Sequence, residues 1–124
     1  MRPPTAASPA FASTVPTPRS LLFNDVPSDK QAEQYLAPLQ QQPSSGWGAT
    51  VPYAMWQHRE EEGVGTAYLI AGDDKIIPVA FQQKFAEGAG CEFVGTVEGV
   101  GHMLVVSRSE ECAGFVREVV GSLV

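Results

Sequence analysis

The spacing of apolar and polar positions changes along the chain, and each change marks a different part. Through residues 1–20 the apolar residues never group: half of the ten prolines fall here among Ser, Thr and Ala, with no acid. A stretch of this kind cannot bury enough surface to fold, which predicts a disordered tail. Prolines interrupt every continuous apolar run of the about 7 to 15 residues that a secretory signal needs. Arg2 and Arg19 leave a transit peptide as an alternative, on two arginines only.

Ordered structure is expected from about Leu21. In "LLFNDVPSDKQAEQYLAPLQ", Ser28 stands as an N-cap with Gln31 three residues on, a capping-box pattern. Ala32, Tyr35, Leu36 and Leu39 then recur at helical spacing, and Pro38 crowds the carbonyl of Gln34, so the helix should end or kink there. "QQQPSSGWGATVPYAMW", residues 40–56, mixes turn residues with Trp47, Tyr53, Met55 and Trp56. So many bulky groups should pack onto something: a helix and turn laid on a core in the plain reading, a lid or pocket wall in the functional one. "HREEEG" reads as a solvated charge run with His58 exposed and idle. These features set residues 21–62 apart as a candidate cap.

Residues 63–124 alternate strand and helix. Apolar runs at 66–71 and 92–97 predict two strands, and "PVAFQQKFAEG" predicts a helix that opens on Pro78 and is stopped by Gly88. "SRSEECAGFVREVVGSLV" predicts a last helix, with Ser107 and Glu110 as a second capping box and Ala113, Val116, Val120 and Leu123 on one face. The order gives an α/β class with a right-handed βαβα unit on a parallel sheet. No internal repeat is visible.

Composition narrows the classes of function. At 124 residues the chain allows one domain at most, and a net charge of −6 argues against nucleic acid or an anionic membrane as a main partner. No run approaches the about 18 apolar residues of a membrane span, so a soluble, cytoplasmic protein is expected. Cys91 and Cys112 do not cluster with His58 or His102, which argues against a zinc site or a disulfide framework and for two reduced thiols in the interior. No cofactor or metal is implied.

Candidate chemistry lies where the two strands end. "LIAGDDKIIP" delivers Asp73 and Asp74 to the C-terminal end of the first strand, and "EGVGHM" places His102 between Gly101 and Met103 after the second. Adjacent parallel strands stand about 4.8 Å apart, so an acid and the histidine can meet. A carboxylate on one ring nitrogen fixes the tautomer of an imidazole and stabilises its cation, leaving the other nitrogen to take a proton from a nucleophile.

These residues resemble a known family. "AGDDKIIP", followed by "EGVGHMLVVSRSEE", is similar to the end of an α/β-hydrolase, in which a D-x-x-x-P acid and a G-H histidine complete a Ser-His-Asp triad. The resemblance implies the acid role for Asp74, four residues before Pro78, and the base role for His102; Asp73 then caps or solvates the turn, although the two acids could exchange roles. Upstream, "LLFNDVPSDKQAEQYLAPLQ" and "TVPYAMW" resemble the cap helices of a fungal and plant-esterase-like subgroup. The implied fold is a partial α/β-hydrolase fold, cap helices plus a βαβα unit from the C-terminal edge of the parallel sheet. The implied substrate is a small apolar acyl compound such as an ester or lactone, by analogy one of secondary metabolism, against a pocket of Trp47, Tyr53, Met55, Trp56 and Met103.

One element of the family pattern is missing. The nucleophile of this fold sits on a G-x-S-x-G elbow ahead of the Asp and His, and these 124 residues contain no such elbow. Catalysis would need a serine from elsewhere, and a two-stranded sheet with open edges predicts an unstable chain, self-association, or a partner chain supplying the missing N-terminal half. The alternative is a non-catalytic module, derived from a hydrolase, that binds a small ligand or a protein. A third scheme, paired acids holding Mg²⁺ as in receiver-type domains, wants a further strand-end Asp, and no Asp follows Asp74.

Overall fold

Two short parallel strands organise the structure. β1 (Ala67–Ala71) and β2 (Phe93–Val97) pair in register from Ala67 with Phe93 to Ala71 with Val97. This computed structural model describes residues 17–40 and 50–123, so most of the expected tail, and Ser44, Ser45 and Trp47, lie outside the described residues. The remaining elements are α1 (Pro18–Leu22), α2 (Asp29–Leu36), a 3-10 turn (Met55–Gln57), α3 (Arg59–Glu62), α4 (Val79–Gly88), α5 (Leu104–Ser107) and α6 (Ser109–Ser122). The class is α/β.

Helix α4 covers one face of the strand pair and α6 the other. Val94 lines a cleft with Gln83 and Ala86 of α4, whereas a Cβ on its neighbour Gly95 would meet the Phe115 ring of α6 at 2.8 Å. Successive strand residues point to opposite faces, so glycine at 95 lets α6 approach closely.

The backbone polarity of β1 follows from its first and last bonds to the second strand segment. Gly72 N–H donates to Val97 O at 2.9 Å and Glu92 N–H donates to Thr66 O at 3.0 Å. Residues 66, 68, 70 and 72 therefore turn toward β2, and 67, 69 and 71 turn outward. At Ala71 the outward groups are met by a side chain: its N–H donates to Gln82 Oε1 at 2.9 Å, and Gln82 Nε2 donates to Ala71 O at 3.0 Å and to Ile77 O at 2.8 Å. Gln82, 3% exposed, is the buried polar residue of the core. It does at one position what a neighbouring strand would do.

A second packing centre lies above the C-terminal strand ends. Leu22, Phe23, Val26 and Ala32 cluster there, with Tyr35, Leu36, Ile76 and Met103 packed against them. The Phe23 and Tyr35 rings stand 5.4 Å apart. Helices α1 and α2 thus rest on the two loops that follow β1 and β2, through Ile76 from one and Met103 from the other.

Several sequence expectations need correction. Helix starts at Pro18 rather than Leu21, because the Arg19 guanidinium ties α1 to the next turn: it donates to Phe23 O, to Val26 O at 2.7 Å and to Asp29 Oδ1 at 3.1 Å. Ser28 does cap α2, accepting from Gln31 N at 3.3 Å, and the helix ends before Pro38. Thr66 stands outside β1, its hydroxyl within 3.3 Å of Ala89 O and Gly90 O. Gly88 stays helical, and the chain reverses at Gly90, whose φ of +61° suits glycine.

The last helix differs most. It breaks at Arg108 into α5 and α6, and no side chain caps α6. Ser107 already closes α5 and donates to Asp25 Oδ2 at 2.6 Å, so it makes no capping box with Glu110. Val116, Val120 and Leu123 are exposed; Cys112, Phe115 and Val119 form the more buried face. His58 is neither exposed nor idle, since its ring stacks on Tyr53 at 4.5 Å and its Nδ1 lies 3.5 Å from a Glu61 carboxylate oxygen.

Candidate active site

Two loops leave the same end of the sheet and are stitched to each other. Gly72 N–H donates to Val97 O, and Asp73 N–H donates to Val100 O at 2.8 Å. Val100 is fully buried, which fixes the second loop just ahead of its histidine.

Asp74 turns the first loop with its own side chain. Oδ1 accepts from Ile76 N at 2.8 Å and Ile77 N at 3.0 Å, an Asx-type turn that leaves Oδ2 free. Oδ2 stands 2.9 Å from His102 Nδ1. The Asp74 side chain is 5% exposed and that of His102 is 28% exposed. A carboxylate accepts only, so Nδ1 carries the hydrogen and Nε2 keeps its lone pair. Among the described residues Nε2 makes no hydrogen bond, so the basic nitrogen is free of protein partners there.

Asp73 is spent differently. Its Oδ1 lies 2.6 Å from Lys75 Nζ, and Asn24 Nδ2 donates both to its carbonyl at 2.9 Å and to its Oδ2 at 3.1 Å. The two adjacent acids therefore divide: one faces the histidine, the other ties the loop to the turn after α1. Among the described residues no group of three or more His, Cys, Asp and Glu side chains could hold a metal ion.

Of the residues expected in a substrate pocket, Met103 lies beside His102 but packs into the Leu22–Phe23–Val26–Ala32 cluster. Trp56 is placed elsewhere. It lines an apolar groove of about 410 Å³ with Tyr68, Lys84, Phe85, Gly88 and Ala89. Gly88 and Ala89 sit beside Thr66, at the N-terminal end of the strands, so this groove opens at the other end of the sheet from His102. Tyr53 stacks on His58 and its hydroxyl donates to Glu62 at 3.3 Å; Met55 starts the exposed 3-10 turn beside it. The structure does not bring Tyr53, Met55 and Trp56 together with His102. Their aromatic density signalled packing and carried no information on which end of the sheet they would cover.

No described nucleophile reaches the histidine. Ser107 is held by Asp25, and Cys112 donates its thiol toward Leu104 O at 3.6 Å. Burial first, then the Glu111 charge, pushes the Cys112 thiol above its ordinary pKa, so it stays protonated and a poor nucleophile at neutral pH. Both cysteines are free and half-buried.

Sequence reasoning missed Asn24, Asp25, Gln82 and Ser107. Asn24 and Asp25 stand in "FNDVP", which signals a turn and nothing more; Gln82 shares a helix with Phe81 and Phe85, whose hydrophobicity points to the wrong inward face.

The parallel strands, the flanking helices and the strand-end Asp–His pair define the C-terminal part of an α/β-hydrolase, and a family model settles the membership. The Alpha/beta hydrolase family model matches residues 1–115, so the chain belongs to that family. Among solved structures, a crystal structure of polyneuridine aldehyde esterase is similar, with a TM-score of 0.66 and 21% identity over 85% of this chain and 41% of that one. At that identity the likeness speaks for the fold, a partial α/β-hydrolase fold, of which this chain spans about two-fifths of the matched structure. No curated protein matches the chain. Among the described residues no helix is long and apolar enough to cross a membrane.

Proposed function

We propose that the chain contributes the acid and the base of a Ser-His-Asp esterase site, whose serine and oxyanion donors come from outside these 124 residues. The observation that carries this is the Asp74 Oδ2 to His102 Nδ1 contact of 2.9 Å, with Asp74 buried and Nε2 unpartnered among the described residues. Asp74 holds the imidazole in the Nδ1–H tautomer. Nε2 takes the proton of a serine hydroxyl as it attacks the acyl carbonyl, Asp74 stabilises the imidazolium, and the proton passes to the leaving alkoxide. The substrate class is a small apolar acyl compound, an ester or lactone, and secondary metabolism is the context that the fungal and plant-esterase resemblance suggests.

The partner is argued from the sheet. The outward backbone groups of Ala67 and Leu69 face no strand among the described residues, and Phe81, Phe85, Val94, Val116, Val120 and Leu123 are exposed around the sheet. A parallel strand from a polypeptide carrying the rest of the fold would pair along β1, cover the apolar surface and bring the elbow to His102. Self-association through the same edge is the alternative. A second reading, a non-catalytic ligand or protein-binding module, is favoured by the absence of any described nucleophile at Nε2.

The test is hydrolysis of a short-chain p-nitrophenyl ester, beside the His102→Ala variant and a serine-directed fluorophosphonate probe. The chain alone should be silent. Turnover and serine labelling should appear only in preparations where it is bound to a polypeptide bearing a serine elbow, and turnover should vanish with His102→Ala. Turnover that survives the substitution overturns the assignment, and silence in every assembly favours the binding module.

A further inference from the structure

Asn24 and Asp25, in the turn between α1 and α2, reach both loops of the site from one place. Asn24 Nδ2 donates to Asp73 O at 2.9 Å and to Asp73 Oδ2 at 3.1 Å, holding the loop that carries Asp74. Its other amide atom, Oδ1, is buried without a hydrogen-bond partner, and so is Asp25 Oδ1. Both oxygens lie against Gly101, the residue before His102: a Cβ built there would stand 2.1 Å from Asn24 Oδ1 and 3.0 Å from Asp25 Oδ1. Asp25 Oδ2, in turn, accepts from Ser107 at 2.6 Å and so holds the short helix after His102.

Burying acceptors without partners is unfavourable, and natural chains retain such groups where a tight geometry is needed. We propose that Asn24 and Asp25 form a positioning clamp for the Asp74–His102 pair: the Asn24 amide bridges the acid's loop to Gly101, and Asp25 anchors the segment following the histidine through Ser107. Neither residue touches the reacting atoms. Glycine at 101 is the counterpart, since any side chain there would occupy the space of the Asn24 carbonyl. Asn24 thus sets the separation of the two loops, and with it the Oδ2 to Nδ1 distance.

The clamp rests on the reading of Asp74 and His102 as an acid–base pair, and its test reads the imidazole rather than turnover. Nitrogen–proton correlation spectra of the full chain labelled with ¹⁵N report each histidine's tautomer, with His58→Gln assigning the two rings. In the unsubstituted chain neutral His102 should be the Nδ1–H tautomer; an Nε2–H tautomer there overturns the pair itself. Asn24→Ala should convert the single Nδ1–H form to a mixture. Phe23→Leu, which loosens the core of the same turn and leaves the amide in place, should keep it. A pure Nδ1–H tautomer in Asn24→Ala, or an equal loss in Phe23→Leu, overturns the clamp while leaving the pair standing.

Asn24→Asp, of equal size, removes the same donor and sets a carboxylate against Asp73. It serves as the second variant if Asn24→Ala does not fold, with the same mixture expected. The unsubstituted chain supplies a check that needs no variant: the Asn24 side-chain amide protons should exchange slowly with solvent, and fast exchange overturns the clamp.

Discussion

Gln82→Ala isolates one side chain that holds the sheet edge and the acid loop together. The glutamine amide makes three hydrogen bonds, to Ala71 N–H, Ala71 O and Ile77 O, the first two wholly buried. Ala71 is 1% exposed, so neither of its backbone groups finds bulk water when the amide is removed. An orphaned buried polar group costs about 1–3 kcal/mol, which gives about 2–6 kcal/mol for the two. Water entering the vacated volume recovers part of that, and alanine gains a few tenths in helix propensity. The expected loss is about 2–4 kcal/mol, a large share of the about 5–15 kcal/mol that holds a domain together.

Urea unfolding followed by circular dichroism at one fixed protein concentration measures this, with Gln83→Ala as the control. Gln83 is the exposed neighbour on the same helix, and its substitution should stay within about 0.5 kcal/mol. Gln82→Glu sharpens the test. At neutral pH the introduced carboxylate has no donor for Ala71 O or Ile77 O, so the loss should match or exceed that of the alanine variant. Burial raises the pKa of that carboxyl, and stability relative to the parent should recover as pH falls and the neutral acid regains a donor. A midpoint for Gln82→Ala equal to that of Gln83→Ala would refute the view that this amide stands in for a strand.

Asp74→Asn keeps the acceptor for Ile76 and Ile77 but presents an amide that no longer fixes the imidazole; in an active assembly ester turnover should fall by about 10⁴, with thermal stability changed little. Gly101→Ala drives a methyl group into the Asn24 carbonyl and should lower stability by about 1–3 kcal/mol, read by thermal melting. Ala67 N–H points away from β2, so Ala67→Pro should leave the circular dichroism of the chain intact while abolishing association through β1, read by sedimentation; an unfolded variant would show that the strand polarity is misread. Burial first, then the charges of Asp74 and Cys91, holds the Tyr68 phenol above its ordinary pKa of 10.0. The folded chain then keeps a proton that the unfolded chain releases, so this stability is present below about pH 10 and lost as pH rises through it. Tyr68→Phe should flatten the alkaline limb of a stability–pH curve.

Local signals in the sequence placed much of the frame. The strands, α4 and the Ser28 cap follow from runs of apolar residues, a proline start and a hydroxyl three residues ahead of Gln31, each a matter of near neighbours. The Asp74–His102 pair was legible because both residues stand just beyond strand ends, where a parallel register brings them together. Asn24 and Gln82 were not, since their meaning lies in partners 49 residues and 11 residues away that no period encodes. Ser107 was assigned to the nearest helix start, and a distant acid, Asp25, outcompeted that local role.

The misread helix faces carry a different lesson. On α6 the apolar period runs through Val116, Val120 and Leu123, yet Cys112, Phe115 and Val119 turn toward the strands; on α4 it runs through Phe81 and Phe85, yet Gln82 and Ala86 are buried. Each helix is therefore apolar on two sides and covered on one. Leaving the other side in water forgoes about 25 cal/mol per Å² of apolar surface, and an exposed patch of this kind marks an interaction surface. The same region offers the outward backbone groups of Ala67 and Leu69, while Gln82 satisfies only those of Ala71. Apolar helix faces and an open strand edge require the same remedy, a parallel strand with its own covering layer, which is what the proposed partner would supply along with the serine.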